Sequence, residues 1–303
     1  MVSFRRCSSS IVAFVAVVGT APSVQAFCQT TTCSKDCPID PVTSCAGGTP
    51  IGWPQFCVSY SMQRDASEAI DLETATTIAE RAFNAWQVVT CPGGGSPSIR
   101  AGHPFGTVAC KVHEYNQIDG NANIVMFHDT DWPYGDEGGS VLALTTVTFS
   151  KKTGDIYDVD MEINAQQPLS TNEIVDPNGY DLQSIITHEA GHFMGLAHSF
   201  DPNATMWAHY SAGTESFRDL SDDDIAGICT VYPPTTAFNV CDFAPRQGFS
   251  PECGVWPAGT GGCALAGGST AKSRRRDGGA AVLAVATFAA VAARRQRKKR
   301  RAS

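Results

Sequence analysis

Positive charge is scarce in the body of this 303-residue chain: residues 27–271 hold 9 Lys+Arg against 29 Asp+Glu, a net of −20. The other 13 basic residues lie in the first 26 and the last 32 residues. An acidic body repels a polyphosphate, so nucleic acid is excluded as its partner. The acidity fits a soluble extracellular surface or, more sharply, calcium binding. Long apolar runs are also missing. Ile11 to Val18 is too short to cross a bilayer, and the 16-residue run Gly278–Ala293 falls short of the ~20 residues a spanning helix needs. No histidine lies near Cys33, Cys37 and Cys45, which argues against a metal site there. No stretch marks an oligomerisation surface, so a monomer is expected.

Residues 1–26 read as a secretory signal: Arg5 and Arg6, a short apolar core, then the small-x-small site Val24-Gln25-Ala26. Export makes the 12 cysteines legible. Setting aside Cys7 in the signal and Cys263 in the tail leaves positions 28, 33, 37, 45, 57, 91, 110, 229, 241 and 253. An even set in an exported chain implies up to five disulfides, whose pairing the spacing leaves open. Residues 27–52 form a Cys-rich collar, 53–234 a single well-cored domain, 235–271 a Cys-containing linker and 272–303 a basic and apolar tail.

The chemistry concentrates in His188-Glu189-Ala190-Gly191-His192-Phe193-Met194-Gly195-Leu196-Ala197-His198. On a helix, residues four apart share one face, so His188 and His192 can aim at one metal ion. Gly195 can stop the helix in the left-handed conformation and let the chain return His198 as a third ligand. Three neutral imidazoles with an open fourth position are what catalytic zinc requires. Glu189 points beside the metal and is the expected general base.

This pattern, followed by Met206 eight residues after His198 and with Ser199 after the third histidine, resembles the matrixin branch of the metzincin zinc endopeptidases over residues 52–233. The resemblance implies an α+β metzincin-like domain: a twisted mixed sheet, an active-site helix with further helices, and a C-terminal subdomain after the third histidine. It implies hydrolysis of internal peptide bonds in proteins, with Glu189 assisting attack of a zinc-bound water and Met206 as an apolar floor beneath the metal. It also implies structural calcium and a second zinc around the strand containing Asp158, Asp160 and Glu162. Tyr157 stands at the family's histidine position, which argues against the second zinc. For the three carboxylates, calcium at Asp160 or Glu162 and a solvated acidic face both remain, with the solvated face favoured. His103, His113, His128 and His209 are expected to be structural or exposed. Ala208 stands where the family's pocket wall has proline, while Tyr210 matches. The Pro-Arg-Cys-Gly setting that caps the zinc in family propeptides is absent.

The remaining elements are read from periodicity. Trp53–Met62 is expected as a first strand, with Phe56, Val58 and Tyr60 alternating. Leu72–Val89 carries an apolar stripe with Phe83 and Trp86 as core anchors. Ala122–His128 is the clearest later strand. The resemblance aligns Gly138–Thr145 with an edge strand whose unpaired backbone would take up substrate. Asp181 is the expected N-cap of the active-site helix. Ser221 with Asp224, and a Leu220–Ile225 staple, begin the last helix. The tail, with Cys263, a short apolar segment and the basic run Arg294–Arg301, resembles the C-terminal sorting tails of myxobacterial surface proteins. That implies a secreted chain or one attached to the cell envelope.

Overall fold

The computed structural model describes residues 26–130, 132–134, 141–235 and 241–252, and the backbone of 280–290. Nearly all of the signal segment, residues 138–140 of the expected edge strand, Cys253, Cys263 and the basic end of the tail lie outside these residues. In chain order the elements are β1 (Cys28–Gln29), β2 (Cys57–Ser59), β3 (Ser61–Met62), α1 (Leu72–Val88), β4 (Arg100–Gly102), β5 (Ile124–His128), β6 (Val141–Ser150) and β7 (Ile156–Asn164). There follow β8 (Leu169–Ser170), β9 (Tyr180–Asp181), α2 (Leu182–Phe193), β10 (Leu196–Ala197), β11 (His209–Tyr210), α3 (Asp222–Val231) and β12 (Ala280–Ala290). Among the described residues no helix is long and apolar enough to cross a membrane.

The six-stranded sheet has the order β11-β12-β6-β7-β5-β3. It is mixed: β5 runs parallel to β3 and β7, whereas β6 runs antiparallel to β7. The expected first strand divides at Tyr60. Cys57–Ser59 pairs with β4, and Ser61–Met62 leaves to pair with β5. Both pieces are buried, so the anticipated alternation holds only for Val58 and Tyr60, while Phe56 is exposed. A strand sandwiched between neighbours loses the polar face on which period-two reading depends.

Helix α1 begins where Asp71 accepts the Thr74 N–H at 2.9 Å. Its buried stripe is Ala75, Ile78, Ala79, Ala82, Phe83 and Trp86. Burying each of the large members contributes roughly 1.5–3 kcal/mol. Phe83 stacks on Tyr60 at 4.1 Å and meets Phe193 of α2 edge-on at 5.1 Å. Trp86 donates its indole N–H to the Thr187 carbonyl at 2.8 Å, so α1 fixes both the position and the rotation of α2.

Four disulfides join described residues: Cys28–Cys45, Cys33–Cys37, Cys57–Cys241 and Cys91–Cys229. Cys110 is disulfide-bonded as well. The collar's cysteines are thus consumed by bridges. Its strand β1 pairs antiparallel with β10, which ends immediately before His198. The linker is pinned near its start, because Cys241 is tied to the first strand.

Strand β6 differs from the expected bare edge. One side pairs with β7; the other pairs antiparallel with β12, whose far side runs parallel to β11.

Candidate active site

Helix α2 begins at Asp181, whose carboxylate accepts the Ser184 N–H at 2.9 Å and the Ser184 hydroxyl at 2.8 Å. Arg218 closes on the same buried carboxylate with two bonds, Nε at 2.9 Å and Nη2 at 2.8 Å. Leu182, Ile185 and Ile186 are buried on the core side. His188, Glu189 and His192 are also wholly buried. Gly195 takes φ +92° after the helix, and a Cβ there would meet the Ile51 carbonyl oxygen at 2.8 Å. Glycine is therefore required both for the turn and for the close approach. The chain then passes through β10 and presents His198.

The ligand atoms of His188, His192 and His198 lie within 4.8 Å of one another. Among the described residues this is the only such group of three or more His, Cys, Asp or Glu side chains. His188 Nδ1 lies 2.6 Å from the Thr205 carbonyl and His192 Nδ1 lies 2.8 Å from the Leu196 carbonyl. A carbonyl only accepts, so both Nδ1 atoms carry the proton and Nε2 is left with its lone pair. Nε2 of His192 and of His198 is buried and meets no hydrogen-bond partner. Burial, then the neighbouring histidines, holds His188 well below its ordinary pKa. Burial first and His198 second lower His192 to about 3, and burial with His209 lowers His198 to about 4. Three neutral, convergent imidazoles fit a zinc ion with an open position.

Glu189 has one oxygen held and one presented. Oε2 accepts the Thr145 hydroxyl at 2.5 Å, from β6, whereas Oε1 is buried with no partner. Burial pushes the carboxyl up to about 8, against the opposing Thr145 bond. Met206 lies beneath Gly191, where a Cβ would come within 2.2 Å of its sulfur. The turn carrying Met206 is itself held by Asp224. That buried carboxylate accepts the Thr205 N–H at 2.7 Å and the Met206 N–H at 3.0 Å while closing the capping box of α3 with Ser221. Asp223, the residue before it in α3, accepts the Phe27 N–H at 3.0 Å and the Ser199 hydroxyl at 2.6 Å. Tyr210 packs on Phe217 at 5.2 Å, and Phe217 stacks near His188 at 6.5 Å, so the pocket wall continues to the metal ligands.

The structure therefore clusters the three histidines singled out in the sequence, with Glu189 next to His188 on α2. Sequence reasoning missed Thr145, Arg218 and the second role of Asp224. Their partners lie 44, 37 and 18 or 19 residues away, with no local pattern to mark them.

The acidic strand β7 is a correction. Asp158, Asp160 and Glu162 are buried, not solvated. Asp160 accepts the backbone N–H groups of Ile124 and Glu114 at 3.0 and 2.9 Å. Glu162 lies 2.9 Å from His128 Nε2 and 3.3 Å from His113 Nδ1, and Tyr134 donates a short hydrogen bond to it. Burial pushes Glu162 up, but these bonds outweigh it and hold the carboxyl at about 2. Asp158 is pushed up by burial and by the charges of Asp160 and Glu114, and its Oδ1 meets no partner. Tyr157 carries the Arg246 guanidinium over its ring at 4.2 Å, a contact a metal-ligating histidine there would not make.

Residues 52–233 match the family model described as matrixin, a peptidase family. The chain is 27% identical over 203 residues to matrix metalloproteinase-C of Caenorhabditis elegans, covering 63% of this chain and 30% of the relative. It is 29% identical over 188 residues to human matrix metalloproteinase-16, covering 60% of this chain and 27% of the relative. The chain thus spans under a third of the length of either relative. A shorter match, 41% over 61 residues, covers 20% of this chain and 13% of human matrix metalloproteinase-20. With the metzincin-like α+β sheet, the three clustered histidines and Met206 packed against Gly191, the match over 52–233 establishes that this chain belongs to the matrixin family.

Proposed function

We propose that the protein is a zinc endopeptidase that hydrolyses internal peptide bonds of proteins, exported through residues 1–26 and held at the cell envelope through residues 272–303. The observation that carries the reading is the pairing of three neutral, convergent imidazoles with a carboxylate that has one oxygen anchored and one presented. His188, His192 and His198 would hold the metal through Nε2. Zinc, when bound, supplies Lewis acidity, which polarises a scissile carbonyl and acidifies water. Glu189 Oε1 accepts the proton of the attacking water and returns it to the leaving amine nitrogen. Thr145 keeps Glu189 from swinging during both transfers. Disulfides throughout the body support an oxidising, extracellular setting.

Calcium is the second part of the reading. The buried Asp158 Oδ1, which meets no hydrogen-bond partner, supports a calcium ligand on β7, in place of the expected Asp160 or Glu162, whose oxygens are engaged by backbone N–H groups and by His128, His113 and Tyr134.

The test is cleavage of an unfolded protein such as casein by the purified, oxidised chain, with and without a zinc chelator, beside Glu189→Ala. Chelator-sensitive cleavage that disappears in the variant, with zinc still bound, is expected. Wild-type turnover by Glu189→Ala would overturn the mechanism.

A further inference from the structure

Strand β12 has an unusual place for a C-terminal segment. It runs antiparallel to β6 from Ala280↔Ser150 to Ala289↔Val141. On its other side Ala289 and Ala290 run parallel to His209 and Tyr210 of β11. Those two neighbours flank the site from opposite sides. β6 supplies Thr145, whose hydroxyl holds Glu189, and Thr145 is itself paired with Val285. β11 follows directly after the Met206 turn beneath the histidines. The backbone of β12 therefore runs through the gap between the general base's support and the pocket wall. The ladder departs from regular register twice, between Val285 and Thr287 and between Phe288 and Ala289, where the strand enters that gap.

A slot bounded by an edge strand and a wall strand takes an extended peptide through its main chain, and tolerates varied side chains. β12 fills both rows of main-chain partners at once. Its sequence, Ala-Ala-Val-Leu-Ala-Val-Ala-Thr-Phe-Ala-Ala, has neither the proline nor the charge that blunts strand addition. We propose that this slot binds the chain's own Ala280–Ala290 segment, which competes there with an extended peptide substrate; this rests on the endopeptidase reading above. Because segment and slot belong to one chain, the competition does not depend on protein concentration. The same apolar segment cannot pair with β6 and enter a membrane, so engagement of the tail elsewhere would free the slot.

The test uses the full chain and the double variant Ala284→Pro/Thr287→Pro, which removes two N–H donors from β12. Two readouts are compared with wild type: hydrogen exchange of the β6 amides 141–150, and initial rates on a fluorogenic peptide. Faster exchange over 141–150 is expected in the variant, with KM lowered at least threefold and kcat unchanged. Retained disulfides and an unchanged thermal midpoint of the body establish that the variant is folded. Unchanged exchange, or an unchanged KM, overturns the proposal. Exchange is readable in an inactive protein, so failure of the endopeptidase reading and failure of this one are distinguishable.

Discussion

Thr145→Val isolates the contribution of one hydroxyl to the proposed chemistry. Valine keeps the β-branched shape and suits a strand, so β6 should retain its register. What disappears is the 2.5 Å bond from Thr145 to Glu189 Oε2, made where both residues are fully buried. In the ionised form in which Glu189 acts as base, a hydrogen bond to the carboxylate contributes about 1.5–3 kcal/mol. At about 1.36 kcal/mol per tenfold in rate, kcat should fall roughly 10- to 150-fold. An opposing effect exists: a carboxylate relieved of one hydrogen bond is intrinsically more basic. Losing the fixed direction of Oε1 should outweigh it, because proton transfer needs the base within hydrogen-bond reach of the water. KM and zinc content should hold, since Thr145 supplies no metal ligand. Thr145→Ser restores the hydroxyl and should recover most of the rate. Initial rates on a fluorogenic peptide, zinc content and thermal midpoint would be measured for all three proteins. Wild-type kcat in Thr145→Val, or equal losses in the valine and serine variants, would refute the positioning role.

Two further predictions concern the floor and the acidic strand. Gly191→Ala sets a helix-propensity gain of about 1 kcal/mol against overpacking of about 1–3 kcal/mol. The new Cβ would stand 2.2 Å from Met206 Sδ and 2.7 Å from Trp86, which is pinned by its indole N–H, so the upper end of the overpacking range applies and net destabilisation by about 2 kcal/mol is expected in chemical denaturation; a variant as stable as wild type would mean the floor is slack. Millimolar calcium should raise the thermal midpoint of the wild type and raise that of Asp158→Asn less, and a midpoint indifferent to calcium would remove calcium from the reading.

The catalytic helix was legible because its information is local. Residues four apart on one helix must share a face, and the Asp181 and Ser221 caps lie beside the turns they close. What the sequence hid was held by partners distant along the chain. The three β7 carboxylates read as solvated because cations are rare nearby in sequence. In the fold they are buried, two of them met by His128, His113, Tyr134 and backbone N–H groups from other segments. The division of the first strand at Tyr60 was hidden because its two halves serve different sheets, which no alternation of side chains records. The pairing of β6 with β12 brings together residues 130 to 148 apart along the chain, and an edge strand and a covered strand share one pattern.

The paired anchors around the methionine turn divide labour in a way that bears on how such an enzyme diversifies. Asp224 fixes residues 205 and 206 from one side, and Arg218 fixes the start of the catalytic helix from the other. The stretch from Trp207 to Phe217 runs between these two hydrogen-bonded anchors. Substitutions from Trp207 to Ala212 would therefore reshape the wall beside Tyr210 without touching the hydrogen bonds that hold residues 205 and 206 and the start of α2.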